Sequence, residues 1–130
     1  MTSIYPTLRY DDPKAAMAFL TEALGFVEES MHNDDAGSVA HAELSFGDDI
    51  VMLGTRSDPP GPFDTGRAVL YLALDDEAAV DAHHDRAVSA GAPVVMALTD
   101  QPYGSREYAV TDPEGNVWTV GSYRPTPAAR

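Results

Sequence analysis

The chain has no cysteine. That excludes disulfides, thiolate metal sites and a cysteine nucleophile, and says little about compartment. Basic residues are scarce: eight Lys and Arg stand against 21 Asp and Glu, for a net charge of −13. Such a surface repels phosphate backbones and anionic lipid, so neither nucleic acid nor a membrane is an expected partner. It draws cationic small molecules toward any carboxylate-lined cleft, although acidity also serves solubility alone. Long hydrophobic runs are missing too. The longest, Ala68 to Leu74, is too short to cross a bilayer. The opening Met1-Thr2-Ser3-Ile4-Tyr5-Pro6 has neither the basic nor the apolar region of a signal peptide. A soluble, cytoplasmic protein is the expectation.

The 130 residues suit one domain, able to bury roughly two-thirds of its extended-chain surface. Ile4 to Tyr10 alternates as a strand, and Pro6 argues for an edge position because it cannot donate to a ladder. Asp12-Pro13 opens a helix as N-cap and first helical residue. Ala16, Phe19, Leu20, Ala23 and Leu24 give that helix an apolar stripe, and Gly25 ends it. Phe26 to Met31, Val39 to Phe46 and Ile50 to Leu53 read as strands, with turns at His32 to Gly37 and Gly47-Asp48-Asp49. Gly54 to Gly66, rich in proline and glycine, is the one convincing linker.

The pattern then begins again. Ala68 to Leu74 is a strand, Asp75-Asp76 caps a helix that Gly91 ends, and Pro93 to Leu98 is another strand. Arg106 to Thr111 and Val117 to Tyr123 form a hairpin around Asp112-Pro113-Glu114-Gly115-Asn116. Asp11-Asp12 and Asp75-Asp76 lie 64 positions apart, and Gly47 and Gly115 lie 68 apart. The chain is thus a degenerate repeat of strand, helix and three strands. Each half has too few strands to bury its own faces, so the halves, or two chains, must combine.

Tyr103-Gly104-Ser105-Arg106-Glu107-Tyr108, followed by Asp112-Pro113-Glu114-Gly115-Asn116-Val117-Trp118, resembles the last hairpin of the glyoxalase/bleomycin-resistance/extradiol-dioxygenase superfamily. Leu8-Arg9-Tyr10-Asp11-Asp12 leading to Ala23-Leu24-Gly25-Phe26 resembles its first module, and the likeness covers nearly the whole chain. The resemblance implies an α+β fold in which two βαβββ modules form a curled mixed-sheet cup with helices outside, paired in a homodimer. Module one would span 1–54, a linker 55–66 and module two 67–124. Together these make a single domain of 1–124, followed by a flexible tail of 125–130.

On such a sheet one parity should face the helices and the other a pocket. Leu70, Leu72, Leu74, Trp118 and Val120 take the helix-facing parity. The mixed parity carries Tyr5, Thr7, Arg9, His41, Glu43, Tyr71, Glu107, Thr119 and Tyr123, although a solvated outer face would show the same pattern. Metal-dependent members of the superfamily place ligands at positions matching Tyr5, Glu43, Val69 and Thr119. Only Glu43 among these is of a type that ligates a divalent ion, a lone carboxylate does not hold one, and His41 beside it adds one thin partner. The expectation is therefore no metal and no cofactor. His83 and His84 fall on the second helix, one packing on the sheet and one meeting solvent.

Three readings stay open. The first is a small-molecule-binding protein resembling bleomycin-resistance proteins, with an antibiotic that is cationic or aromatic as its ligand. There Tyr5, Tyr71, Tyr103 and Tyr123 stack the ligand, Glu43 and Glu107 hold cationic groups, and Arg9 sets their charge state. The second is a glyoxalase-like lyase or dioxygenase-type enzyme with a degenerate metal site, or a catalyst using Glu43 or Glu107 as base. A protein whose only partner is its own second subunit is a third reading.

Overall fold

Both helices start at the expected carboxylates. In the computed structural model, which describes residues 2–129, Asp12 caps α1 (Pro13–Glu22) by accepting from the Ala15 N–H at 3.1 Å. Asp76 caps α2 (Glu77–Ser89) by accepting from the Ala79 N–H at 2.8 Å. Beyond α1, Gly25 takes φ 83°, which turns the Phe26 N–H back onto the Leu20 carbonyl at 2.9 Å.

Eight strands complete the fold: β1 (Thr7–Tyr10), β2 (Val27–Asn33), β3 (Val39–Phe46), β4 (Asp49–Thr55), β5 (Val69–Ala73), β6 (Val94–Asp100), β7 (Arg106–Thr111) and β8 (Val117–Gly121). They make two four-stranded sheets, ordered β1-β4-β3-β2 and β5-β8-β7-β6. Each sheet lies in one of two compact units, Met1–Arg67 and Ala68–Arg130. In each, the first strand pairs in parallel with the last and the other neighbours are antiparallel. The α+β fold of two βαβββ modules is as expected. The strands fall into two four-stranded sheets, one in each unit. Parallel β1–β4 and β5–β8 pairing completes each sheet within its unit, which hydrophobic alternation does not encode.

Strand ends moved for local reasons. β1 begins at Thr7, not Ile4, because Pro6 has no N–H to extend the ladder; its carbonyl accepts the first bond, from Met52 N at 3.0 Å. β2 runs on to Asn33, since Asp34 makes the turn by accepting from the Ala36 and Ser38 N–H groups at 3.0 Å each. β4 continues through Gly54 to Thr55, and β6 to Asp100. β8 stops at Gly121, because the Tyr123 N–H turns to the Ser105 hydroxyl at 2.9 Å.

The segment after β4 is a loop held around one carboxylate. Asp64, its side chain 1% exposed, accepts from Gly61 N at 2.7 Å, Ser57 N at 2.9 Å and Arg9 at 3.4 Å. The Gly61 and Ser57 N–H groups hold its carboxyl below the ordinary value.

In the first unit Ala16 and Leu20 of α1 bury against the sheet face that carries Tyr10, Ala42, Leu44 and Leu53. Phe19, expected in this stripe, is only half-buried, and Met17 is buried instead. In the second unit Val80 and Ala87 of α2 cover the side of Tyr108, Val110, Trp118 and Val120. His83 hydrogen-bonds the Tyr108 hydroxyl through Nδ1, and His84 meets the same ring edge-on at 5.0 Å. Both histidines therefore belong to the helix–sheet contact, because Tyr108 is long enough to reach each of them. No helix among the described residues is long and apolar enough to cross a membrane.

The turn between β7 and β8 is closed by one buried carboxylate. Asp112 accepts from Glu114 N at 3.0 Å, Asn116 N at 3.1 Å, Asn116 Nδ2 at 3.0 Å and the Trp118 indole N–H at 3.1 Å. Asn116 Oδ1 in turn accepts the Ala68 N–H at 2.8 Å, which fixes the start of β5. Replacing Asp112 with Ala orphans several buried donors at once, each worth about 1–3 kcal/mol when left unpaired. We expect Asp112→Ala to lower unfolding free energy by about 3 kcal/mol or more, read from urea denaturation of the single tryptophan's fluorescence. A loss within about 0.5 kcal/mol would contradict this role.

Candidate functional site

Glu107 is a buried carboxylate, 5% exposed, on the sheet face opposite Tyr108 and Val110. Across the sheet it stands in one row with Ala73, Gly121 and Thr99. The two small residues leave room on that face, and Tyr71, one row away beside Thr119, leans into it. Three hydroxyls donate to Glu107: Tyr103 to Oε1 at 2.7 Å, and Ser105 and Tyr71 to Oε2 at 2.9 and 3.2 Å. A Cβ at Gly121 would overlap the Tyr71 hydroxyl and stand 2.7 Å from Glu107 Cγ. Glycine is needed here for space, not for an unusual backbone.

Tyr103 and Tyr123 pack edge-on at 6.1 Å. Beside them a cleft of about 350 Å³ is lined by Tyr71, Ala73, Tyr123, Arg124 and Pro125. Its one charged lining residue is Arg124, which donates to the Ala73 carbonyl at 3.3 Å and lies 3.8 Å from Asp75. Burial, and then the Glu107 charge, push the Tyr71 phenol above its ordinary value. The hydrogen bond to Glu107 does the same for Tyr103. Both rings are neutral donors at physiological pH.

The Glyoxalase/Bleomycin resistance protein/Dioxygenase superfamily model matches residues 4–120. The chain belongs to that superfamily. Among solved structures it is similar to TioX from Micromonospora sp. ML1, with 30% identity, 93% of this chain and 98% of that chain covered, and a TM-score of 0.75. It is also similar to a lactoylglutathione lyase from Agrobacterium tumefaciens, at 25% identity, 92% coverage of both chains and a TM-score of 0.73. The fold of TnmS3, an antibiotic binding protein from Streptomyces sp. CB03234, matches at 22% identity with a TM-score of 0.70, covering 92% of this chain and 94% of that one.

At the superfamily's metal positions, Val69 is 76% exposed, Thr119 lies beside Tyr71, and Tyr5 precedes β1 half-exposed. Glu43 pairs with His41 at 2.8 Å, both about two-fifths exposed. Among the described residues, no three His, Cys, Asp or Glu side chains gather as a metal needs. Thr7 and Glu43 share a row across the first sheet through Met52.

Of the residues singled out in the sequence, the structure gathers Tyr71, Tyr103, Glu107 and Tyr123 around one carboxylate, with Thr119 adjacent. Arg9 is not available to tune a pocket carboxylate. It bonds Thr55 O at 3.2 Å and Asp64 at 3.4 Å, and lies 5.7 Å above the Phe63 ring. The neighbouring Arg106 clamps Asp81 at 2.6 Å and Asp100 at 3.0 Å, tying α2 and β6 to β7. Sequence reasoning missed Ser105, Arg124 and Pro125, and put Gly121 on the pocket-facing parity without giving it a role. Ser105 was findable, two residues from Glu107 on the same parity; the tail residues offered no periodic signal.

Removing the Glu107 charge should release the two phenols unequally. In Glu107→Gln we expect Tyr103, whose shift comes first from that hydrogen bond, to titrate nearer the ordinary value of about 10. Tyr71, held mainly by burial, should follow only in part. A raised phenol pKa favours the fold below the unfolded value and loses that contribution as pH rises through the folded one. The variant should therefore lose less stability in alkali than the parent. Spectrophotometric tyrosinate titration reads the first effect, and unchanged tyrosine titration in the variant would count against the cluster.

Proposed function

We propose that this chain binds a flat aromatic small molecule in the cleft beside Tyr71 and Tyr123 and releases it unchanged. The observation that carries this is the apolar cleft itself: two tyrosines and one arginine among its lining residues, with Tyr71 and the neighbouring Tyr103 braced by a buried carboxylate. Rigid aromatic walls with few oriented polar groups suit capture of a planar ligand. The antibiotic-binding neighbour TnmS3 supports the same reading. Cation capture is not the role we assign to Glu107, whose oxygens already receive three hydroxyls, and Arg124 opposes a cation in the cleft.

Calorimetric titration with anthracycline, quinoxaline and anthraquinone antibiotics tests the reading, with the ligand recovered and chromatographed afterwards. We expect saturable binding, an unaltered ligand, and about ten-fold weaker affinity in Tyr123→Ala. Absence of binding across the panel would sink it. A converted ligand would favour the enzyme reading, toward which the similar lactoylglutathione lyase points.

The reading also takes the protein as a homodimer. Val27, Val69 and Val95 are each more than half exposed, which leaves apolar strand surface for a second copy to cover. Sedimentation equilibrium should give twice the chain mass of 13.9 kDa; a monomer at micromolar concentration would rule the dimer out.

A further inference from the structure

We propose that the cleft takes an aromatic carboxylate, with its ring against the tyrosines and its carboxylate on the Arg124 guanidinium. This deepens the aromatic-binding reading above and rests on it. Other arginines of the chain are spent on architecture: Arg9 on Thr55 and Asp64, Arg106 on Asp81 and Asp100. Arg124 is not. Its Nη2 makes both of its protein contacts, with the Ala73 carbonyl at 3.3 Å and with Asp75 at 3.8 Å. Among the described residues, the single N–H of Nε and the two of Nη1 have no protein partner. The contact with Asp75 is weak, because that carboxylate is 96% exposed and stands beyond hydrogen-bond reach.

The position of these open donors gives them a use. Ala73, whose carbonyl Nη2 meets, is itself a lining residue of the cleft, as are Arg124 and Pro125. The guanidinium therefore stands where the cleft meets the end of β5, and its side chain is more than half exposed. Tyr71, Ala73, Tyr123 and Pro125 complete the lining and bring no other charge. A planar guanidinium pairs with a carboxylate through two parallel N–H donors, a match that neither an amide nor an ammonium supplies. A volume of about 350 Å³ lies at the small end for ligand sites and suits a compact fused ring. The net charge of −13 opposes an anion from afar. Screening confines that field to about 8 Å at physiological salt, so it acts on arrival, and the contact at Arg124 sets the preference.

The test is fluorescence titration of the full chain with naphthoate and with naphthamide, which share ring and shape and differ in charge. Wild type should bind naphthoate about five-fold more tightly than naphthamide. In Arg124→Gln the ratio should fall to about one, through weaker binding of naphthoate alone. Gln keeps a donor for the Ala73 carbonyl, and position 124 lies past β8, so the fold is not at stake. Arg124→Lys, which restores the charge without the fork, should recover part of the ratio. A preference for naphthoate that persists in Arg124→Gln overturns the assignment, and so does identical behaviour of the Gln and Lys variants, which would reduce Arg124 to its aliphatic stem. Equal binding of the two probes by wild type overturns the carboxylate preference and leaves the aromatic site standing. If neither probe binds, the aromatic reading and this inference fall together.

Discussion

The second unit depends on the carboxylate of Asp112. It is buried, and it collects two turn N–H groups, the Asn116 amide and the Trp118 indole, so a single group closes the hairpin and orients the largest core side chain. Asn116 passes the constraint on to Ala68, and the parallel β5–β8 register follows from there. A buried charge persists only when its acceptor capacity is filled. Here the filling partners are the elements that need positioning. Tyr71 on β5 and Glu107 on β7 owe their mutual placement to this knot.

Glu107 repeats that logic on the other face of the sheet. Its partners are side-chain hydroxyls, which hold orientation without neutralising the charge. Such a network is rigid while complete and costly when one member is lost. The two units also share a device. Gly54 in β4 and Gly121 in β8, each on the strand paired in parallel with its unit's first strand, lie beneath a polar side chain: Arg9 in one case, Tyr71 and Glu107 in the other. The duplicated fold thus keeps a vacant position in each closing strand and fills the space above it with different chemistry. In the first unit that chemistry docks a loop through Arg9 and Asp64. In the second it braces tyrosines at a cleft.

The acidity of the chain bears on partners more than on the site. Arg9, a site candidate in the sequence, and Arg106, next to Glu107 in the chain, are both drawn into architecture, Arg9 by Asp64 and Arg106 by Asp81 and Asp100. With few bases available, each is claimed by nearby carboxylates, and Arg124 remains as the charge at the cleft.

The sequence by itself determined the two βαβββ modules, the caps at Asp12 and Asp76, and the β7–β8 hairpin. These depend on local rules: period-two alternation, a side chain that satisfies a helix N–H, a turn that needs proline and glycine. It also placed Tyr71, Tyr103, Glu107 and Tyr123 among the residues to watch, since strand parity says which side chains share a face. Only the tertiary structure decided who meets whom. Parity put Arg9 and Glu107 on comparable faces, yet one is taken by a loop and the other by three hydroxyls. The partners come from 46 to 55 positions away for Arg9, and up to 36 away for Glu107. Pairing at that range is set by strand register and loop docking, which no local pattern carries.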